Sequence, residues 1–123
     1  MPKNYSVYGA GLGLRRTFLK TIADDFPDEV DFMEAAPENW IDIGGRAGNH
    51  FRSLTERIPF VCHGLSLNLG GTAPLDKEFL KRVKQFVNTH HICAYSEHLS
   101  YCADEGHLYD LMPIPFTEEA IKH

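Results

Sequence analysis

Apolar positions along the chain switch between two spacings, and the switches divide it into strands and helices. The first run, residues 5–14 (YSVYGAGLGL), reads as a strand entering a glycine-rich turn. From 15 to 26 the spacing changes: Phe18, Leu19, Ile22 and Ala23 fall on one helical stripe, and Pro27 follows as a terminator. Residues 30–36 (VDFMEAA) predict a second strand that ends in Pro37-Glu38-Asn39-Trp40, with Gly44-Gly45 beyond. A second helix is predicted over about 47–57. Pro59 opens a third strand, Phe60 to Gly64, whose near-continuous apolar character suits a strand covered on both faces.

A long polar loop with Ser66, Asn68, Gly70, Gly71 and Thr72 follows, and Asp76 is placed to cap a helix over 77–88 with Phe79, Leu80, Val83 and Phe86 inward. Residues 92–97 predict a fourth strand leading into His98-Leu99-Ser100-Tyr101. Beyond it come a loop rich in Asp and Gly, the stretch Leu111-Met112-Pro113-Ile114-Pro115-Phe116, and a helix start with Thr117 as N-cap and Glu118 and Glu119 in its first turn.

This alternation predicts an α/β fold of parallel strands joined by right-handed crossovers, either a small doubly wound sheet or part of a (β/α)8 barrel. A full barrel takes about 250 residues. The 123 residues therefore read as one incomplete barrel domain of about four βα units, truncated as a helix is starting. Such a half-barrel exposes two sheet edges and an uncovered inner face, so self-association, with a poorly soluble or oligomeric product, is expected.

Composition narrows the classes of partner. Twelve basic against seventeen acidic residues give a net charge of −5, with no stretch that concentrates Lys or Arg, so nucleic acid is not expected as a partner. No run approaches the roughly 20 apolar residues that cross a bilayer, and Met1-Pro2-Lys3-Asn4-Tyr5 lacks the apolar core of a signal peptide; a cytoplasmic protein is expected. Cys62, Cys93 and Cys102 have no CxxC spacing, and each reads as a buried small hydrophobe.

In either parallel architecture the ligand site lies at the C-terminal ends of the strands. That rule gathers Glu34 and Glu38 from the end of strand two, His63 from strand three, and Glu97 and His98 from strand four. Imidazole and carboxylate are good ligands for iron, zinc or copper, although a single strand-end histidine is as well explained as a structural residue. His90 and His91 end the third helix, where a cation suits the dipole. His50, His107 and His123 fall on surface-like segments or the terminus. The Gly9-Ala10-Gly11-Leu12-Gly13 run falls one position short of GxGxxG, so close packing of the first strand explains it better than a nucleotide loop. Ser66 and Ser100 have no GxSxG context.

Five motifs occur together in order. They are GAGLGLR ending at Arg15, EAAPENW from Glu34 to Trp40, HGLSLNLGG from His63 to Gly71, SEHLSY from Ser96 to Tyr101, and DLMPIPFTEE from Asp110 to Glu119. Together they resemble the domain-of-unknown-function 692 family, whose characterised members are multinuclear non-heme iron-dependent oxidases, including the methanobactin-biosynthesis enzyme. The resemblance spans nearly the whole chain. It implies a xylose-isomerase-like, TIM-type barrel with two or three iron ions that use dioxygen to modify cysteines of ribosomally made precursor peptides, with a possible partner protein delivering the peptide. The histidines of the His-Gly and Ser-Glu-His motifs are iron ligands in such enzymes, and they fall on His63 and His98. Glu38, Asn39 and Glu97 are candidates to orient those ligands or to cap loops. Arg15 meets a substrate carboxylate or, the preferred reading, pairs with an acidic neighbour.

The family's remaining ligands come from later strands, so this chain alone is expected to bind metal weakly and to lack dioxygen chemistry. Two other readings stay open. One is a barrel isomerase or hydrolase using zinc, manganese or magnesium; the other is an inactive half-barrel that acts only as a structural or interaction fragment.

Overall fold

The computed structural model describes residues 6–103 and 106–123, with the backbone but not the side chain of Tyr109. Residues 1–5, which include the expected start of the first strand, and Asp104-Glu105 of the Asp- and Gly-rich loop lie outside the described residues. Four strands, β1 (Gly11–Gly13), β2 (Phe32–Ala35), β3 (Phe60–Gly64) and β4 (Ala94–Glu97), pair in parallel and in chain order. Helices α1 (Leu19–Asp24), α2 (Gly45–Thr55) and α3 (Lys77–Thr89) make the connections.

A doubly wound sheet reverses its strand order at a switch point; this one does not. Crossovers of one hand in an unreversed order put every helix on the same side. One buried cluster bears this out, joining Leu19 and Ile22 of α1, Phe51 and Leu54 of α2 and Phe86 of α3 to Met33, Ala35, Phe60 and Cys62 of the sheet. The fold is thus α/β with a parallel four-stranded sheet, consistent with the N-terminal half of a TIM-type barrel. Phe51 is the centre of the core, stacked on Trp40 at 4.6 Å and Phe86 at 5.6 Å and edge-on to Phe60 at 5.4 Å. Burying each such side chain contributes about 1.5–3 kcal/mol.

Strand β3 departs from the expectation of two covered faces. Phe60 and Cys62 are buried whereas Val61 and His63 are only half-buried, because the described residues put helices on one side alone. Register carries the same alternation across the sheet: Gly13, Glu34, Val61 and Ala94 lie side by side, and His63 beside Ser96, on the face away from the helices.

The predicted caps are present. Asp76 accepts from the Glu78 and Phe79 amides, both at 3.0 Å, and Thr117 accepts from the Ala120 amide to start α4 (Glu118–Lys122). Packing explains two glycines of the run: a Cβ at Gly9 would collide with the Asp31 carboxylate, which accepts from the Ala10 amide at 2.8 Å, and one at Gly11 with the Phe32 ring, whereas Gly13 has open space beside it. The first helix is shorter than expected, a 3-10 turn at Arg16–Phe18 running into α1.

Three expectations are corrected. An antiparallel pair, β5 (Ser100–Ala103) and β6 (His107–Pro113), occupies what reads in sequence as a loop and an apolar stretch. The polar loop after β3 docks on it: the Gly70 amide donates to Ser100 O at 2.8 Å, and the Asn68 side chain accepts from Cys102 N at 2.7 Å and Ala103 N at 3.1 Å while donating to Ala103 O at 3.1 Å. Cys62 and Cys102 are buried as expected, but Cys93 is exposed, since it precedes β4 and engages the sheet through its amide, which donates to Phe60 O. Finally, His90 packs into the core at the end of α3 instead of standing free at the helix terminus. Its ring packs 4.8 Å from Phe51 and 4.7 Å from Phe86, and burial lowers its pKa, which favours the neutral form.

Candidate metal centre

His63 on β3 and His98 just past β4 come from neighbouring parallel strand ends, and their ring centroids lie 4.2 Å apart with the planes tilted by 48°. Each ring is anchored through Nδ1. His98 Nδ1 lies 2.7 Å from Gly64 O. A carbonyl only accepts, so Nδ1 carries the proton and Nε2 is left with its lone pair. His63 Nδ1 lies 2.7 Å from Ser96 Oγ, and that hydroxyl reaches Cys62 O at 3.5 Å. If the hydroxyl proton goes to the Cys62 carbonyl, His63 Nδ1–H donates to Ser96 and its Nε2 is also a lone pair. Among the described residues neither Nε2 has a hydrogen-bond partner. This is the pattern of metal-ligating histidine, in which the second ring nitrogen is held by a carbonyl, hydroxyl or carboxylate that fixes tautomer and orientation.

The carboxylates found from sequence are close by but differently employed. Glu38 turns one oxygen, Oε1, to the loop after β3, accepting from Leu65 N at 2.7 Å and from Ser66 N and Oγ at 3.0 Å each. Its other oxygen, Oε2, is buried and without a partner among the described residues. Glu97 accepts from the Tyr95 hydroxyl at 2.6 Å on Oε2 and from its neighbour His98 N at 3.1 Å on Oε1. Burial, then the bond to Glu97, pushes the Tyr95 phenol well above its usual range. Gly64 makes this possible, because a Cβ there would collide with the Glu97 carboxylate and crowd the Tyr95 hydroxyl. Burial followed by the charge of Glu38 pushes the Cys62 thiol up to about 12, and its side chain belongs to the core cluster beneath the helices.

Arg15, Asn39 and Glu34 do not join the imidazole pair; they line a neighbouring cavity of about 400 Å³ with Gly13, Trp40 and Leu65. Arg15, exposed just past β1, forms no ion pair among the described residues. Its neighbour Arg16 is the structural arginine, donating to Asn39 O at 2.6 Å and lying 5.4 Å over the Trp40 ring. Asn39 contributes through this carbonyl. Ser66, Ser96 and Gly64 are the participants that sequence reading did not assign to the site, although the motifs around both histidines contain them.

Two imidazoles, His98 with its Nε2 lone pair and His63 with one when its Nδ1 donates to Ser96, fit a first-row transition metal by donor type. They are also all that the chain gathers, for among the described residues no group of three or more His, Cys, Asp or Glu side chains is placed to hold a metal ion. No helix among the described residues is long and apolar enough to cross a membrane.

Comparison with known proteins gives the family. The model of a family described as RiPP precursor modification enzyme MbnB/TglH/ChrH matches residues 9–123. The chain is 62% identical over 116 residues to a UPF0276 protein of Pseudomonas aeruginosa, with 94% of this chain and 41% of that protein covered. It is 59% identical over 113 residues to a UPF0276 protein of Shewanella sediminis, covering 92% and 41%. With a UPF0276 protein of Alcanivorax borkumensis it shares 61% identity over 120 residues, covering 94% and 40%. The chain spans about two fifths of the length of the curated relatives it matches.

Proposed function

The chain belongs to the MbnB/TglH/ChrH family of RiPP precursor modification enzymes, and on that footing we propose that it contributes His63 and His98 as two ligands of an iron centre that oxidises a ribosomally made peptide. The observation that carries this reading is the convergence of two rings at 4.2 Å, each held by Nδ1 with Nε2 unengaged. Bound iron would supply electron transfer to dioxygen and a position for a substrate cysteine thiolate. The chain's own part is to hold two imidazoles at fixed spacing on the uncovered face of the sheet, with Gly64 O setting the tautomer of His98 and Ser96 anchoring the ring of His63.

Two imidazoles leave most coordination positions to be filled, so the remaining ligands of a whole enzyme are placed in later strands, and the 123 residues form an incomplete barrel domain. By this reading the chain alone binds metal weakly and does not turn over substrate. Strands β1 and β4 are the sheet edges, and with the uncovered face they favour self-association. Delivery of the peptide by a partner protein belongs to the same reading.

The test is anaerobic titration of the chain with Fe(II), and with Co(II) as a spectroscopic stand-in. Weak binding is expected for the wild type, with a loss of at least tenfold in each of His63→Ala and His98→Ala. Unchanged affinity in both variants would overturn the assignment. Metal analysis of an anaerobically purified full-length relative separates the oxidase from a barrel hydrolase: iron supports the first and zinc the second.

A further inference from the structure

A single peptide group links a buried carboxylate to one of the two imidazoles. The Gly64–Leu65 peptide gives its N–H to Glu38 Oε1 at 2.7 Å, and its C=O accepts from His98 Nδ1 at 2.7 Å. The peptide is planar and resists twisting, so fixing one edge fixes the direction of the other. We propose that Glu38 is a positioning residue for His98, acting through this peptide plane: it sets the line along which the carbonyl meets the ring and thereby where His98 Nε2 points. This rests on the reading of His98 as a ligand and deepens it.

Three observations support a dedicated role. Glu38 comes from the 3-10 turn Pro37–Asn39 after β2, whereas the peptide lies at the end of β3 and His98 just past β4, so the carboxylate ties three successive strand ends together. Its hydrogen bonds all converge on Oε1, and Oε2 stays buried with no partner. A buried acceptor without a donor is a cost that stability alone does not explain. The carboxylate also polarises the peptide it binds, which strengthens the carbonyl as an acceptor for His98 Nδ1–H. The effect is that of the carboxylate–histidine pair found behind many metal ligands, with a peptide interposed.

The test reads the ring directly, in metal-free protein, by long-range 15N–1H spectra of the histidines together with amide exchange at Leu65. Wild type is expected to show His98 with its proton on Nδ1 and a protected Leu65 amide. Glu38→Ala is expected to give a mixed His98 tautomer and at least tenfold faster Leu65 exchange. Glu38→Gln, which keeps an acceptor oxygen, is expected to restore both. Ser66→Ala removes a bond to Oε1 that does not pass through the Gly64–Leu65 peptide, and should leave the His98 tautomer unchanged. A wild-type His98 signature in Glu38→Ala would overturn the proposal, as would a Ser66→Ala effect equal to that of Glu38→Ala. Should Glu38→Ala fail to fold, Glu38→Asp withdraws the carboxylate by one methylene and is read against the same outcomes. If the wild-type chain takes up no Co(II), the metal reading fails, and the tautomer measurement still decides this one.

Discussion

Replacing Gly64 by alanine tests how closely the strand ends are fitted. Gly64 has no left-handed backbone angle, so alanine is allowed conformationally and its effect is steric. The added methyl would overlap the Glu97 carboxylate and press on the Tyr95 hydroxyl. Relief requires the carboxylate to swing away, giving up the 2.6 Å bond from Tyr95 and the 3.1 Å bond from His98 N. A hydrogen bond to a charged group contributes about 1.5–3 kcal/mol, and the half-exposed position puts this one at the low end. Gly64→Ala should therefore destabilise by about 1.5 kcal/mol, set by those lost bonds rather than by the methyl itself. Urea unfolding measures it, and a cycle with Glu97→Ala identifies the cause. With the carboxylate gone the methyl has room, so the double variant should be more stable than the sum of the two singles by about 1–2 kcal/mol. Additive effects would refute the reasoning, because the clash would then lie elsewhere.

Other expectations follow from the same geometry. Ser96→Ala removes the hydroxyl that meets His63 Nδ1 and should weaken Co(II) binding by about 10–100-fold, measured by chelator competition. Folded protein at pH 8 should react with a thiol reagent at Cys93 alone, with Cys62 and Cys102 modified only on unfolding, as mass spectrometry would show. Because Cys62 rises from 9.0 to about 12 on folding, its contribution to stability is full below pH 9 and is lost as pH climbs toward 12; Cys62→Ala should flatten that decline in alkaline urea melts. His90 shifts the other way. Its folded pKa lies below 6.5, so its contribution is full above that pH and is lost as acid protonates the ring, and His90→Gln should reduce the slope of stability against pH below 6.5.

The parts of the fold legible in the sequence were those with a strong local signal. Strand β3 begins and ends where Pro59 and the polar loop place it, and α3 starts at its Asp76 cap with Val83 and Phe86 buried. The β5–β6 pair was not legible. Only His98 and Leu99 separate β4 from β5, so the pattern runs on without a break, and the two prolines in the Leu111–Phe116 stretch mask a strand. The convergence of His63 and His98 could be inferred from strand ends, whereas the anchors could not. Gly64 acts through its carbonyl and its missing side chain, and Ser96 through a hydroxyl no motif distinguishes. Arg15 and Arg16 are adjacent and chemically identical, and only packing against Trp40 decides which is structural.

The peptide after Gly64 also separates two duties at position 65. Glu38 and His98 are bridged by main-chain atoms alone, while the Leu65 side chain faces the cavity shared with Arg15 and Glu34. Any residue except proline supplies the same amide, so the wall of that cavity is free to change its side chain while the imidazole keeps its bearing.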